Sequence, residues 1–330
     1  MAHILTSTDL LDQTQALVGK HLAKVEEVYA AELSSDNEYV RDIYAHTSRF
    51  RGKRLRPILC LLSAAATGEV RPEHATIAAV IEMIHTATLV HDDVLDSADK
   101  RRHVATVNVR WNNETSVLYG DFLFTHSFHL CASTGSAEAC RIIGRATNRV
   151  CEGELTQIRN RGNLNLSEQE YYSIIDGKTA ELCAVSCELA ARFSNASNDV
   201  VQNMEAYGRK LGQAFQIADD VLDIVGLEGE VGKTLGTDIE QGKLTLPLIR
   251  LLQQTEGETH QRVVHLLENP SAEHHRELAQ LCRTTGTLEQ SIVQAHELSK
   301  QACRHLDTIP DSPARQLLIT IATLAIDRSC

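Results

Sequence analysis

Two copies of the sequence DDVLD stand far apart in the chain, at residues 92–96 and 219–223. On a helix the first and last aspartates of each copy lie one turn apart on the same face, with the middle aspartate beside them. Each copy follows an apolar run, so neither lies on a wide polar stripe that faces water. Like charges this close are destabilising unless a cation lies among them. The pattern therefore predicts metal binding by Asp92, Asp93, Asp96, Asp219, Asp220 and Asp223.

The expected metal is Mg²⁺, with several ions per site. Carboxylate oxygens are hard ligands, and Mg²⁺ usually keeps several waters and bridges to the phosphates of a substrate. The implied chemistry is a diphosphate held between two carboxylate walls through these ions. A single DDxxD on a polar helix is usually a solvated acidic surface, but two matched copies in apolar surroundings favour the metal interpretation.

The fold class follows from composition and pattern. The chain has 330 residues, of which 43% are hydrophobic, enough for a large core. No proline occurs between Pro72 and Pro247, and that stretch has neither alternating strand patterns nor a glycine-rich phosphate loop. Long segments are rich in Ala, Leu, Glu, Gln and Arg, which favour helices. No linker divides the sequence, so we expect an all-α protein with a single domain over residues 1–330.

Two helix starts are visible from local signals. Ser167 followed by Glu170 forms a capping box, in which each residue satisfies a backbone N–H of the other. Ser312 followed by Pro313 places a proline at the first helical position, where its missing N–H costs nothing. These signals predict helices that begin at residues 168 and 313.

Charge and cysteine usage exclude some partners. The net charge of −12 argues against nucleic acid and against an anionic membrane surface. The nine cysteines show neither CxxC pairs nor metal-ligand spacing, as in a reduced cytosolic protein. No signal or transit peptide is visible, and no run approaches the roughly 18 apolar residues of a membrane span. We expect a soluble cytoplasmic protein whose anionic substrate needs metal ions and nearby cations.

Basic residues accompany the aspartate motifs. They lie beside a glycine at residue 52, directly after the first motif, in an otherwise apolar and acidic helix, and in a glycine-punctuated stretch after the second motif: Lys53, Arg56, Arg101, Arg102, Lys178, Lys233 and Lys243. Each of them, taken singly, is more often a surface cation whose stem covers apolar surface. The two arginines after the first motif differ, because a planar guanidinium close to a metal cluster suits phosphate oxygens.

Taken in order, the motifs resemble those of the trans-isoprenyl diphosphate synthases over nearly the whole chain. The matching residues are Gly52-Lys53…Arg56-Pro57, His85…Asp92-Asp93…Asp96…Arg101-Arg102, Gly120-Asp121, Lys178-Thr179, Phe215-Gln216…Asp219-Asp220…Asp223, Gly232-Lys233 and Gly242-Lys243. The stretch IHTATLVHDD at 84–93 is most similar to the long-chain members, especially the bacterial octaprenyl synthases.

The resemblance implies a large helical bundle around a deep central cavity (the isoprenoid synthase type), normally in a homodimer. It also implies a repeated condensation. An allylic diphosphate ionises, the double bond of isopentenyl diphosphate attacks the carbocation, and a proton is lost. The expected conversion runs from farnesyl diphosphate to about octaprenyl diphosphate, for quinone side chains.

The resemblance also assigns roles to residues. The six aspartates would hold the ions. The allylic diphosphate would contact Arg101, Lys178, Lys233 and Lys243. Isopentenyl diphosphate would be held without metal by Gly52, Lys53, Arg56, His85 and Arg102. Thr179 and Gln216 would offer oxygen dipoles to the carbocation. A histidine on an apolar face is more often a core residue, but His85 lies two turns before the first motif on the same helical face.

Product length is expected to depend on the helix before the first motif. Ala87 and Thr88 lie about one turn before it, and their small side chains would leave a tunnel open for the growing chain. The floor would then lie at Ile81, or at Phe128 and Cys131 on a later helix. Small residues also allow close helix packing, which is the alternative reason for their presence.

Three other functions stay open. One is a short-chain synthase that makes farnesyl or geranylgeranyl diphosphate. A terpene cyclase is disfavoured because the second motif is aspartate-rich and the basic site at residues 52–56 is present. A non-catalytic subunit of a heteromeric synthase is disfavoured because both aspartate motifs are intact.

Overall fold

The structure is a computed structural model that describes residues 7–50, 52–225 and 236–326. In chain order its helices are α1 (Ser7–Glu32), α2 (Glu38–Thr47), α3 (Leu55–Thr67), α4 (Pro72–Leu95), α5 (Val107–Arg110), α6 (Asn113–Ala132), α7 (Ala137–Arg159), α8 (Glu168–Ile175), α9 (Glu181–Phe193), α10 (Asn198–Val225), α11 (Thr237–Glu240), α12 (Leu246–Gln254), α13 (Gly257–Glu268), α14 (Ala272–Thr284), α15 (Thr287–His305) and α16 (Pro313–Leu324). A 3₁₀ turn spans Ser48–Phe50, and a π-helical segment, Asp176–Ala180, joins α8 to α9.

The predicted all-α fold is confirmed. The described residues contain one small sheet, a hairpin in which β1 (Lys100–Arg101) pairs antiparallel with β2 (Val104–Ala105). Both predicted helix starts are present. The capping box joins Ser167 and Glu170 at the start of α8, and α16 begins at Pro313.

Two compact units divide the chain. Unit 1 comprises the described parts of Met1–Thr147, Leu182–Gly208 and His305–Thr320. Unit 2 comprises the described parts of Asn148–Glu181, Arg209–Arg304 and Ile321–Cys330. The single domain expected from the sequence stays a prediction.

Helix α4 forms the centre of unit 1. It lies against α1, α3 and α6, and it is apolar on every side over much of its length. Ile77, Ile81, Met83 and Ile84 are fully buried along it. A helix that is apolar all round must be covered by neighbours, so its polar end, with the first aspartate motif, is held by a rigid core.

The core of unit 2 collects side chains from α8, α10, α12, α13, α14 and α15. On α10 it includes Ala214, Ile217, Val221 and Ile224, which recur at three- to four-residue spacing. This apolar stripe fixes the rotation of α10, and therefore the direction in which the second aspartate motif points. Among the described helices, none is both long and apolar enough to cross a membrane.

Candidate active site

The first aspartate motif lies at the C-terminal end of α4. Asp92 and Asp93 occupy the last turn, and Asp96 follows it with its backbone N–H donating to the Asp92 carbonyl oxygen. Asp93 is 1% exposed, and its Oδ1 accepts hydrogen bonds from Arg101 Nε and Nη2 at 2.9 and 2.7 Å. Burial raises the pKa of Asp93, and the Arg101 guanidinium opposes that rise. Asp92 and Asp96 remain partly exposed.

The hairpin after the motif presents its two arginines. Arg101 lies on β1, and Arg102 and His103 form the turn with φ angles of 51° and 66°. Two successive left-handed residues match the twist of a tight two-residue hairpin. Arg102 Nη1 donates to the Phe50 carbonyl oxygen and lies over Gly52, where an added Cβ would be 2.5 Å from that nitrogen. The glycine is therefore required for the arginine to reach this position.

His85 lies within the electrostatic field of a group of guanidinium ions. Its pKa is lowered well below 6.5, first by burial and then by the charges of Arg56, Arg101, Arg102 and Arg54. Arg56 is partly buried, and among the described atoms its Nε has no hydrogen-bond partner. Asp93 pairs with Arg101, and Glu26 and Glu82 pair with Arg54. Among the described residues, Arg56 and Arg102 therefore contribute the positive charge that a bound anion would balance. This group is suited to bind a diphosphate.

Arg54 has a different role from its neighbours. It donates to Glu26 Oε1 at 2.7 Å and to Glu82 Oε1 at 2.6 Å, so its charge is neutralised inside the protein. Its φ angle is 51°, a strained value for a non-glycine residue. We conclude that Arg54 fixes the segment 52–54, while Lys53 beside it is exposed.

The second aspartate motif lies on α10 and is built differently. Asp220 is 4% exposed, and both its oxygens accept hydrogen bonds: Oδ2 from the Tyr171 hydroxyl at 2.6 Å and Oδ1 from Gln216 Nε2 at 2.7 Å. Gln216 Oε1 in turn accepts from the Thr179 hydroxyl at 2.7 Å. Burial, followed by the charge of Asp238, raises the pKa of Asp220 well above its usual value.

Asp238 on α11 adds another carboxylate to this motif. Its backbone N–H donates to Asp223 Oδ2 at 3.3 Å, and its carbonyl oxygen accepts from the Lys243 N–H at 2.7 Å. Burial and then the charge of Asp223 raise the pKa of Asp238 to about 7, against the opposing effects of Lys243 and Lys178. The sequence reasoning did not assign Asp238, because only the fold brings it beside Asp223.

Lys178 lies in the π-helical segment Asp176–Ala180. Its Nζ contacts Glu154 Oε2 and donates to Gln157 Oε1 at 2.8 Å, both on α7. The backbone of α7 lies close to that of the π-helical segment, because an added Cβ at Gly153 would be 2.7 Å from the Lys178 backbone nitrogen. Short π-helical segments inside α-helices frequently occur at functional sites.

The two motifs fit Mg²⁺ by the chemistry of their donors. Asp93 Oδ2 is buried without a hydrogen-bond partner among the described atoms, and burial followed by the charge of Asp223 raises the pKa of Asp238. Within the described part of the chain, no three His, Cys, Asp or Glu residues already form a ligand cage. Mg²⁺ is commonly held by one or two carboxylates together with waters and substrate phosphates, so a complete protein cage is not required.

The residues selected from the sequence divide between the two compact units. Unit 1 holds Gly52, Lys53, Arg56, His85, Asp92, Asp93, Asp96, Arg101 and Arg102. Unit 2 holds Lys178, Thr179, Gln216, Asp219, Asp220, Asp223 and Lys243. Lys233 lies outside the described residues. Sequence reasoning missed Tyr171, Asp238 and Arg54. Tyr171 and Asp238 meet Asp220 and Asp223 only through the fold, so no local motif or periodic pattern could have singled them out.

The residues expected to set product length differ in exposure. Ala87, Ile81 and Cys131 are fully buried, whereas Thr88 is partly exposed and Phe128 is 38% exposed. Thr88 donates its hydroxyl to the His85 carbonyl oxygen at 2.8 Å, which hides its polar group against its own helix. Thr88 is therefore the more accessible of the two small residues.

Comparison with known sequences places the chain in a family. A model of the polyprenyl synthetase family matches residues 37–284. Octaprenyl diphosphate synthase of Escherichia coli (strain K12) is 34% identical over 319 residues, which cover 96% of this chain and 99% of the relative. An all-trans-nonaprenyl-diphosphate synthase of Rhodobacter capsulatus is 34% identical over 321 residues, covering 97% of this chain and 98% of the relative.

Solved structures agree with the sequence relatives. A decaprenyl diphosphate synthase from Rhodobacter capsulatus has a TM-score of 0.92 and 35% identity, covering 97% of this chain and 99% of that chain. A polyprenyl synthase from Caulobacter crescentus CB15, complexed with calcium and isoprenyl diphosphate, has a TM-score of 0.91 and 32% identity, covering 97% and 98%. The chain therefore belongs to the polyprenyl synthetase family, and the predicted long-chain polyprenyl synthase is confirmed.

Proposed function

We propose that the chain is a Mg²⁺-dependent prenyltransferase that adds isopentenyl diphosphate units to farnesyl diphosphate until the product reaches about octaprenyl length. The observation that carries the proposal is the composition of unit 1, where an aspartate motif suited to metal lies beside guanidinium groups suited to a bare diphosphate. Arg56, Arg102 and His85 form the second of these sites. A two-substrate condensation needs both kinds of site, whereas ionisation of one allylic diphosphate needs only the first.

Each group of residues has a distinct part in the reaction. When bound at the two motifs, Mg²⁺ supplies a Lewis acid that stabilises the charge developing on the leaving diphosphate. Lys178 and Lys243 add positive charge on the side of the second motif. Arg56 and Arg102 hold isopentenyl diphosphate by its diphosphate group, which is not a leaving group in the condensation. The Thr179 hydroxyl donates a hydrogen bond to Gln216 Oε1, so its oxygen lone pairs can face the allylic cation.

The middle aspartates hold their surroundings in place. Asp93 binds Arg101, which is assigned to the allylic diphosphate, and Asp220 binds Gln216. Both carboxylates are nearly inaccessible, unlike Asp92, Asp96, Asp219 and Asp223. We propose that metal ions reach the partly exposed aspartates first, and that the middle ones orient the residues beside them.

The proposal includes a homodimer, a cytoplasmic location and use of the product in quinone side chains, as the family resemblance implies. The apolar side chains of Val117, Leu118 and Phe128, which are exposed on α6, support self-association. Exposed apolar side chains on one helix are typical of protein interfaces. Light scattering after size-exclusion chromatography tests the dimer directly.

A two-component enzyme is the second candidate. The chain is 34% identical over 304 residues to "Heptaprenyl diphosphate synthase component 2" of Geobacillus stearothermophilus. That printed name describes one component of an enzyme, so the need for another chain must be tested alongside product length.

Product analysis with the purified chain tests the proposal. Radiolabelled isopentenyl diphosphate, farnesyl diphosphate and Mg²⁺ are incubated with the chain alone, and the dephosphorylated products are separated by chromatography. We expect linear products that end at about octaprenyl length and that disappear on chelation with EDTA. Products no longer than geranylgeranyl would contradict the length assignment, a cyclic hydrocarbon would indicate a cyclase, and no product would favour the two-component enzyme.

A further inference from the structure

Two acidic residues bound the π-helical segment that carries Lys178. Asp176 is its first residue and Glu181 follows its last. The Glu181 N–H donates to the Asp176 carbonyl oxygen, which is the backbone hydrogen bond over five residues that defines a π turn. In an α-helix, side chains five residues apart do not face each other, whereas a π turn brings them close.

Two arginines hold both acidic side chains at once. Arg149 Nη2 donates to Asp176 Oδ2 at 2.6 Å, and its Nη1 lies 3.2 Å from Glu181 Oε2. Arg209 Nη1 donates to Asp176 Oδ2 at 2.9 Å and lies 2.9 Å from the same Glu181 oxygen. Both contacts of Glu181 are ion pairs that lack hydrogen-bond geometry, and Glu181 is 1% exposed. Gln213 Nε2 completes the set by donating to Asp176 Oδ1 at 2.9 Å.

Helices α7 and α10 press on the segment at glycines. An added Cβ at Gly177 would lie 2.8 Å from the Arg149 carbonyl oxygen, and one at Gly212 would lie 2.5 Å from Ala180 Cα. The two arginines therefore come from the helices that touch the segment backbone, one on α7 and one on α10. Close backbone packing and charge pairing therefore both act on the π-helical segment and on Glu181, which follows it.

We propose that Arg149 and Arg209, by binding Asp176 and Glu181 together, hold the π turn and thereby set the rotation of Lys178 and Thr179. All four are positioning residues, because none of them is assigned to substrate or metal. If the turn relaxed to an α-helix, Asp176 and Glu181 would separate around the helix and Lys178 would rotate away from Glu154 and Gln157. The inference deepens the proposed function, on which it rests, by explaining how its cation-bearing segment is placed.

Charge-neutral variants of similar size test the arrangement. Glu181→Gln and Asp176→Asn each remove one carboxylate from the two arginines while keeping the side-chain shape. We expect kcat for prenyl transfer to fall by about 10- to 100-fold, because small misplacements of reacting groups lower reaction rates by such factors. The KM for isopentenyl diphosphate should change by less than about twofold, because the basic group of unit 1 is untouched.

A double-mutant cycle separates positioning from general stability. If the four residues act through Lys178, adding Glu181→Gln to Lys178→Ala should lower kcat by less than about twofold beyond Lys178→Ala alone. A full additional 10-fold loss in the double variant would overturn the inference. So would an unchanged kcat in both single variants.

Glu188 offers a matched control on the same helix. It lies seven residues after Glu181, is 5% exposed and is likewise bound by two arginines, Arg145 at 3.4 Å and Arg192 at 3.1 Å. Glu188→Gln should shift the thermal unfolding temperature as Glu181→Gln does, while leaving kcat unchanged. An equal loss of kcat in both variants would mean that any buried charge deletion on α9 impairs the enzyme, and the inference would fail.

A structural measurement tests the π turn separately from the enzymatic activity. Crystal structures of Asp176→Asn and Arg209→Lys show whether the Glu181 N–H still bonds to residue 176 or has moved to residue 177. We expect the α-helical bond in the asparagine variant and the π-helical bond in the lysine variant, which keeps the charge. Retention of the π turn in the asparagine variant overturns the inference. A wild-type chain without linear product would instead refute the proposed function.

Discussion

The two copies of DDVLD are identical in sequence and opposite in surroundings. The first lies beside cations: Asp93 is paired with Arg101, and three further guanidinium groups affect His85 nearby. The second lies among carboxylates, where Asp220 is held by the neutral Tyr171 and Gln216 and Asp238 adds a further negative charge. In both copies the middle aspartate is the buried one.

The difference indicates the charge of the ligand that each site is suited to bind. Around the first motif the protein already supplies positive charge, and the surplus is suited to a substrate anion. Around the second motif carboxylates lie close together: burial and then the charge of Asp223 raise the pKa of Asp238 to about 7 even with two lysines nearby. We therefore expect the second motif to depend more strongly on bound cations, although the two sequences give no hint of this.

The largest expected effect is the loss of a partly exposed aspartate from either motif. Asp92→Asn and Asp219→Asn keep the side-chain shape but remove a charged oxygen, so kcat should fall by about 100- to 1000-fold at saturating Mg²⁺. Steady-state assays with radiolabelled isopentenyl diphosphate measure this. Asp199→Asn is a suitable control, since Asp199 is exposed near the start of α10 and belongs to neither aspartate motif. Near-normal turnover in either motif variant would break the proposed role of that motif.

Removing the partner of Asp93 should mainly change stability, whereas removing a hydrogen-bond donor of Asp220 should mainly change the Mg²⁺ requirement. Arg101→Gln leaves the buried Asp93 without a counter-charge, which should lower the free energy of unfolding by about 3 kcal/mol. Tyr171→Phe removes one neutral donor from Asp220, which should cost only about 1 kcal/mol but raise the Mg²⁺ concentration needed for half-maximal activity about 10-fold. Denaturant unfolding and metal titration measure the two effects. Equal changes in stability would contradict the contrast between the motifs.

His85 should respond to a diphosphate through its pKa. In the free protein burial and the neighbouring arginines lower the pKa of His85 well below 6.5, so the ring is neutral in the folded state. Because the unfolded chain takes up that proton at about pH 6.5, His85 favours folding above this pH and the contribution is lost as the pH falls below it. Bound isopentenyl diphosphate offsets the arginine charges and should raise the pKa. Histidine NMR titration, with His85→Gln for assignment, measures both values; no change on binding would contradict the assigned site.

Product length should change with little effect on the first condensation. Thr88→Phe and Ala87→Phe place an aromatic ring about one turn before the first motif, and we expect products of about three or four isoprene units. Ala87 is fully buried, so its variant also carries an overpacking cost of about 1–3 kcal/mol, whereas partly exposed Thr88 should not. Thr88→Ser is the control and should keep the long product. If neither phenylalanine variant shortens the chain, the product does not pass this face of α4.

Local and periodic signals made the fold class, the helix starts and the aspartate motifs predictable. The capping box at Ser167 and the apolar stripe leading to Asp219 depend on neighbours within a few residues. The partners of the motifs were not predictable, since Tyr171 and Asp220 are 49 residues apart and meet only through packing. The π turn at Lys178 also has no local signal, and the arginines that contact the acidic residues at its two ends come from two other helices.

The central claim, that both motifs hold divalent cations for a diphosphate, is tested most directly by anomalous diffraction. Crystals are grown with Mn²⁺ and inorganic pyrophosphate, and the anomalous peaks are located relative to the aspartate oxygens. We predict Mn²⁺ peaks at ligand distance from Asp92 or Asp96 and, separately, from Asp219 or Asp223. Peaks at one motif alone, or at neither, would contradict the account.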